Sequence, residues 1–172
     1  MTSYTLDTCA MIEVYEHPSV GGLMACRLDS SKSNFYVCSM TMKELENKNY
    51  DSYDVVARVQ QHLGAKIIVE DVTPQVSENA EILSSSCPCL HCGDKEILSF
   101  AISKRSILVT ADKGLMWCCK KVGAKAINLH GLATHHIKKK HIKAAFFGRV
   151  SRYARAVPRE NLWNYHAQTR AN

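Results

Sequence analysis

Strand and helix signals alternate along the chain from residue 4 to residue 129. That alternation predicts an α/β protein: a single α/β/α sandwich around a central parallel sheet of four or five strands, followed by a basic helical C-terminal extension. Two further observations frame the prediction. The 172 residues, 46% of them hydrophobic, suffice for one sizeable core and fall short of two ordinary domains. Charge is also partitioned, because residues 1–130 carry 13 Lys+Arg against 15 Asp+Glu, whereas residues 131–172 carry 9 basic residues and only Glu160. The expected boundary therefore lies between a near-neutral domain, 1–130, and a basic extension, 131–172.

Residues 4–6 form a short β-prone run ending in Asp7-Thr8, and residues 10–15 read as a helix closed by His17-Pro18. Residues 21–28 read as helical despite a Gly pair, 29–34 as a polar loop, and 35–38 as an apolar strand. Residues 40–47 make a helix that carries Glu44. Val55, Val56, Val59 and Leu63 repeat at helical spacing up to Gly64, a natural stop, and residues 66–69 follow as a β-branched strand. Pro74 opens a helix through Val76, Ala80 and Leu83, expected to break at Ser84-Ser85-Ser86 and the Cys-Pro run that follows. Asp94 begins the next helix, with Ile97, Leu98, Ala101 and Ile102 on one face. Residues 107–109 are a strand with Thr110-Ala111-Asp112 as its exit. Residues 115–122 are a helix ended by Gly123, and 124–129 supply the last strand.

Several function classes are disfavoured at this level. The opening residues lack a basic region followed by an apolar run, so the 8 cysteines read as reduced thiols of an intracellular protein, cytoplasmic or nuclear, and not as a secreted disulfide framework. The apolar stretches are far shorter than the roughly 20 residues a bilayer crossing needs, so no membrane association is expected. Asp7-Thr8-Cys9-Ala10 stands where a Gly-rich phosphate loop would follow the first strand, which counts against a nucleotide-binding or regulatory domain.

The acids carry the positive signal. In an open α/β sheet, ligands bind beyond the carboxyl ends of the strands where strand order reverses. Asp7 and Asp112 each follow a strand, Asp94 begins the helix before the second of these, and Glu44 lies on the helix after residues 35–38. Four carboxylates at one sheet edge repel unless divalent cations lie between them, and an oxygen-only donor set selects hard cations, Mg²⁺ or Mn²⁺. Such a site suits phosphodiester hydrolysis, with the ions activating water and offsetting charge on the attacking and leaving oxygens. Each acid also has an ordinary reading: Asp7 and Asp94 as helix N-caps, Glu44 as a solvated helix residue, Asp112 as a turn former.

The stretches Leu6-Asp7-Thr8, Met42-Lys43-Glu44-Leu45, Gly93-Asp94 with Ile97 and Ala101 behind it, and Leu108-Val109-Thr110-Ala111-Asp112 followed by Leu115 resemble the ordered acidic motifs of PIN domains. The resemblance covers about residues 3 to 129. It implies that Asp7, Asp94 and Asp112 hold metal, that Glu44 orients water at the metal, and that Thr8 or Thr110 adds a hydroxyl contact. It further implies an endonuclease acting on RNA, single-stranded or structured, with an antitoxin or other protein partner or a second copy of the chain. The cysteine-rich insert and the basic tail depart from the compact toxin pattern. A catalytically inactive PIN-like nucleic-acid binding or RNA-processing scaffold is the alternative, and the presence of all four acids counts against it.

Cys87, Cys89, His91 and Cys92 have the chemistry of zinc ligands, but structural zinc usually grips two separated pairs and these four lie within six residues. Cys118 and Cys119 are the distant thiols that could complete such a zinc site, and a loop with a few buried thiols is the favoured reading. The tail alternates basic and apolar residues. Lys138, Lys139, Lys140, Lys143, Arg149, Arg152 and Arg155 read as phosphate contacts of an amphipathic helix whose apolar stripe includes Ile137, Ile142, Phe146 and Val150.

Overall fold

The structure is a computed structural model and describes residues 1–132. Five strands, β1 (Thr2–Leu6), β2 (Ser33–Cys38), β3 (Ile67–Glu70), β4 (Ile107–Thr110) and β5 (Ala126–Asn128), pair in the order β3-β2-β1-β4-β5, with every pairing parallel. The seven α-helices among the described residues are α1 (Thr8–Glu16), α2 (Pro18–Arg27), α3 (Ser39–Asn47), α4 (Ser52–Leu63), α5 (Pro74–Ser86), α6 (Cys92–Ser103) and α7 (Lys113–Val122). This is the expected α/β/α sandwich with five strands.

Strand alternation builds two cores, one on each face. Tyr4, Leu6, Phe35, Val37 and Val109 pack into one cluster with Met11, Val14, Val55 and Val59 from α1 and α4, while Cys38 and Leu108 join Ile97, Leu98, Phe100 and Leu115 of α6 and α7 in the other. Helix α3 touches α1, α4 and α6 and so bridges the helices of the two faces. The chain starts at the sheet centre, adds β2 and β3 to one side, and then crosses to β4 and β5 on the other. The reversal of direction falls between β1 and β4.

Local chemistry explains the element ends. Asp51 caps α4 by accepting from the amides of Tyr53 and Asp54, and Thr73 caps α5 at the amide of Val76 with Pro74 as first residue. Gly64 and Gly123 close α4 and α7 at φ 60° and 74°, conformations that cost other residues more. Three expectations differ from what is found. The serines do not end α5, because Ser84 and Ser85 turn their hydroxyls back onto the carbonyls of Ala80 and Ile82 and so stay helical to Ser86. Ile102 is not on the buried face of α6 but is 43% exposed. The polar loop is shorter than 29–34, since Ser30–Lys32 forms a 3₁₀ turn and Ser33 already pairs with Thr2. No helix of the described residues is long and apolar enough to cross a membrane. The basic extension, with Lys138, Lys139, Lys140, Lys143, Arg149, Arg152 and Arg155, lies outside the described residues.

Candidate metal centre

Asp7 leaves β1 at the point where strand order reverses. Its backbone amide continues the ladder by donating to Val109 O at 3.1 Å, so its side chain projects from the carboxyl edge of the sheet beside the end of β4. The carboxylate is 2% exposed and fully engaged. Oδ1 accepts from the Thr8 amide at 2.6 Å, which makes Asp7 the N-cap of α1, while Oδ2 accepts from Thr110 Oγ1 at 2.5 Å and from Cys9 Sγ at 2.7 Å. Burial pushes its carboxyl above the ordinary range, and the nearby negative charge of Asp112 adds to that, against the opposing effect of the three donors.

Glu44 arrives from α3, held by the Thr8 hydroxyl, which donates to its Oε2. Asp94 sits in the first turn of α6. One oxygen each from Asp7, Glu44 and Asp94 lies within 4.8 Å of the others, and among the described residues this is the only group of three or more such ligand residues that closes so tightly. Asp112 stands just outside the trio, exposed, as the N-cap of α7 with Oδ1 accepting from the Leu115 amide at 2.7 Å. Its charge still reaches both Asp7 and Asp94.

The ordinary and functional readings of these acids are therefore not exclusive. Asp7 and Asp112 are N-caps and also line the acidic edge. Asp94 is not a cap, since His91 holds that position in α6. Thr8 and Thr110 contact the carboxylates directly, and Thr110 also accepts from the Asp112 amide at 2.9 Å, linking the two strand-end acids through one hydroxyl.

Two residues escaped the sequence reading. Cys9 lies between the strand ends, donating to Asp7 and accepting from the Ala111 amide at 3.3 Å; burial first, then the Asp7 charge, push its thiol up to about 12, so it is a neutral donor. The signal was its position two residues after Asp7. Gly93 touches Glu44 so closely that a Cβ there would collide with Oε1 and sit 3.0 Å from Cδ. The adjacency Gly93-Asp94 was visible in the sequence, but the approach of α3 was not.

The Cys/His run does not form a comparable centre. Cys87 is buried at the end of α5, while Cys89, His91 and Cys92 are exposed. No three ligand atoms of that run close within 4.8 Å among the described residues.

Asp94 records the electrostatics of the cluster. Its carboxyl is pushed from 3.8 up to about 6, first by loss of water, then by the charges of Asp7, Glu44 and Asp112, with His91 opposing. The folded state thus binds this proton more tightly than the unfolded chain does. The resulting destabilisation is absent below pH 3.8 and complete above about pH 6, so without cations stability falls as pH rises through that window. Asp94 is partly exposed, and solvent screening brings the effect to about 1–2 kcal/mol. Denaturant melts in chelator at about pH 4 and about pH 7 should show that loss in the wild type and a smaller one in Asp94→Asn, where only the buried Asp7 still contributes. Equal pH dependence in the two proteins would contradict the cluster's electrostatics.

The architecture defines a class first: an open parallel α/β sandwich with carboxylates gathered where strand order reverses. No family model and no curated protein matches the sequence. Solved structures do match in fold. VapBC2 from Rickettsia felis, bound to a DNA fragment from its promoter, aligns at TM-score 0.57 and 15% identity over 74% of this chain and 98% of that one. VapBC-1 from nontypeable Haemophilus influenzae aligns at TM-score 0.57 and 14% identity over 75% and 99%. A PilT N-terminus domain protein from Sulfolobus solfataricus P2 aligns at TM-score 0.50 and 13% identity over 83% and 99%. The fold is PIN-like.

Proposed function

We propose that the protein is a metal-dependent endonuclease that hydrolyses phosphodiester bonds in RNA, with Asp7, Glu44, Asp94 and Asp112 as its site. The observation that carries this reading is the convergence of Asp7, Glu44 and Asp94 within 4.8 Å at the carboxyl edge of the sheet. The donor set fits a hard cation, since it offers only carboxylate oxygens, and burial followed by the like charges of Asp7, Glu44 and Asp112 raises the Asp94 carboxyl to about 6. Asp7, Glu44 and Asp94 would hold one or two Mg²⁺ or Mn²⁺ ions, with Asp112 as the outlying ligand. Bound there, such ions supply Lewis-acid charge to offset that developing on the phosphate oxygens.

The chain's own residues do the rest. Thr110, Cys9 and the Thr8 amide fix both oxygens of Asp7, and the Thr8 hydroxyl fixes Glu44, so two carboxylates are oriented before any ligand arrives. Positive charge held there would bring the Asp94 carboxyl back toward the ordinary range. Cleavage should accordingly need Mg²⁺ or Mn²⁺, and an assay on mixed single-stranded and structured RNA tests this directly. Full turnover in excess chelator would end the metal reading.

We assign catalysis to residues 1–130 and phosphate binding to the extension. Replacing Lys138, Lys139, Lys140, Arg152 and Arg155 with Gln should flatten the salt dependence of RNA binding by about 0.7 in log-log slope for each lost contact to a single strand. An unchanged slope in the folded variant would assign the extension to another role. A protein partner of the antitoxin kind is part of the proposal, supported by VapBC proteins among the structural neighbours.

A further inference from the structure

Outside the acidic edge, the chain has a second cluster of reactive groups. Cys89 lies in the turn between α5 and α6 and is exposed, and its sulfur stands 3.8 Å from that of Cys118, which is fully buried in α7. The buried Cys87 thiol is a neighbour of Cys118 as well and adds to the upward push on it. Cys118 thus lies beside an inner thiol and an outer one. Cys26 and Cys92 are exposed too, but no hydrogen bond to a second sulfur is found for either among the described residues.

We propose that Cys89 and Cys118 form a thiol–disulfide exchange site, which takes a low-molecular-weight disulfide as oxidant and closes to an internal disulfide tying the α5–α6 turn to α7. Access and distance set the order of events. The exposed Cys89 thiolate attacks one sulfur of the small disulfide, forming a mixed disulfide and releasing one small thiolate. Cys118, having lost its proton to solvent, then attacks the Cys89 sulfur and expels the second small thiolate. Two protein thiols become one disulfide, and the oxidant becomes two thiols. The sulfurs must close from 3.8 Å to about 2.05 Å, and Cys89 is the exposed partner of the two.

The environment of Cys118 gives the reaction a kinetic signature. Burial, with the neighbouring Cys87 and Cys89, pushes its thiol up to about 12, so its thiolate is scarce near neutrality. The second step should therefore be the slow one, gaining about tenfold in rate per pH unit below that value, and the mixed disulfide on Cys89 should accumulate first.

The test uses the full chain, fully reduced, exposed to oxidised glutathione and quenched by alkylation at intervals before peptide mass mapping. The expected sequence is a glutathione adduct on Cys89, then its loss in favour of a peptide linking Cys89 to Cys118, reversed by reduced glutathione. Cys118→Ala, chosen because a buried hydroxyl would threaten the apolar cluster, should stop at the Cys89 adduct. Cys89→Ser, an exposed change, should leave Cys118 reduced. A wild-type adduct on Cys89 that persists without any linked peptide overturns the proposal, as does oxidation of Cys118 at the wild-type rate in Cys89→Ser. Because the readout is covalent mass, the result stands apart from whether the acidic edge cleaves RNA.

Discussion

Asp7→Asn should lower metal-dependent cleavage by about 10³-fold or more while leaving the fold intact, because it removes charge from the one site acid whose two oxygens are already held by three donors. The amide can still accept from the Thr8 amide through Oδ1, and the Thr110 hydroxyl and Cys9 thiol can swivel to accept from its nitrogen. In chelator the variant should match the wild type in stability or exceed it by about 1 kcal/mol, since a buried charge that its surroundings disfavour has gone. Single-turnover cleavage beside a denaturant melt measures both quantities. Retained cleavage would remove Asp7 from the site, and a large loss of stability would make its capping of α1 its main role.

The second large effect is expected from adding one methyl group. Gly93→Ala places a Cβ against Glu44 Oε1, the far end of a flexible side chain, so Glu44 rather than the backbone must move. Gly93 is in the first turn of α6, where Ala is the better helix former, so stability should change by less than about 1 kcal/mol. Cleavage should fall by about 10- to 100-fold, since a displaced carboxylate no longer closes the trio. Wild-type cleavage in Gly93→Ala would show that the position of Glu44 does not matter to the reaction. A structure of the variant with Glu44 unmoved would contradict the packing itself.

The two variants mark where the sequence was readable. Asp7 and Asp112 were legible because each follows a short β-prone run, and the carboxyl end of a parallel strand is an address written in local pattern. The sheet was legible for the same reason, as 35–38 and 107–109 survive within β2 and β4. Glu44 was placed with Asp7 and Asp94 by its position after residues 35–38 and by the family resemblance, but local pattern does not contain the approach of α3 to α6, so the contact of Gly93 with Glu44 could not be read off. The run of serines misled because side-chain hydroxyls that often favour turns here bond back into the helix. Cys118 was considered as a distant partner of the Cys run, but its pairing with Cys89 depends on packing that spacing alone does not give.

The pairing of β1 with β4 joins Tyr4 to Ile107, and the hydrogen bond from Thr110 to Asp7 spans 103 positions of sequence. Chains are made from the N-terminus at about 5–20 residues per second, so Asp7 is joined to the chain about 5–20 seconds before Thr110 is added. Through that interval Glu44 and Asp94 are also added, yet Asp7 has neither its hydroxyl donor nor the neighbouring strand that aims it. A product cut short before β4 has three of the four acids and no edge on which to gather them. For a chain proposed to cut RNA, the competent arrangement comes into being only after the 103 positions that separate Asp7 from Thr110 have been read.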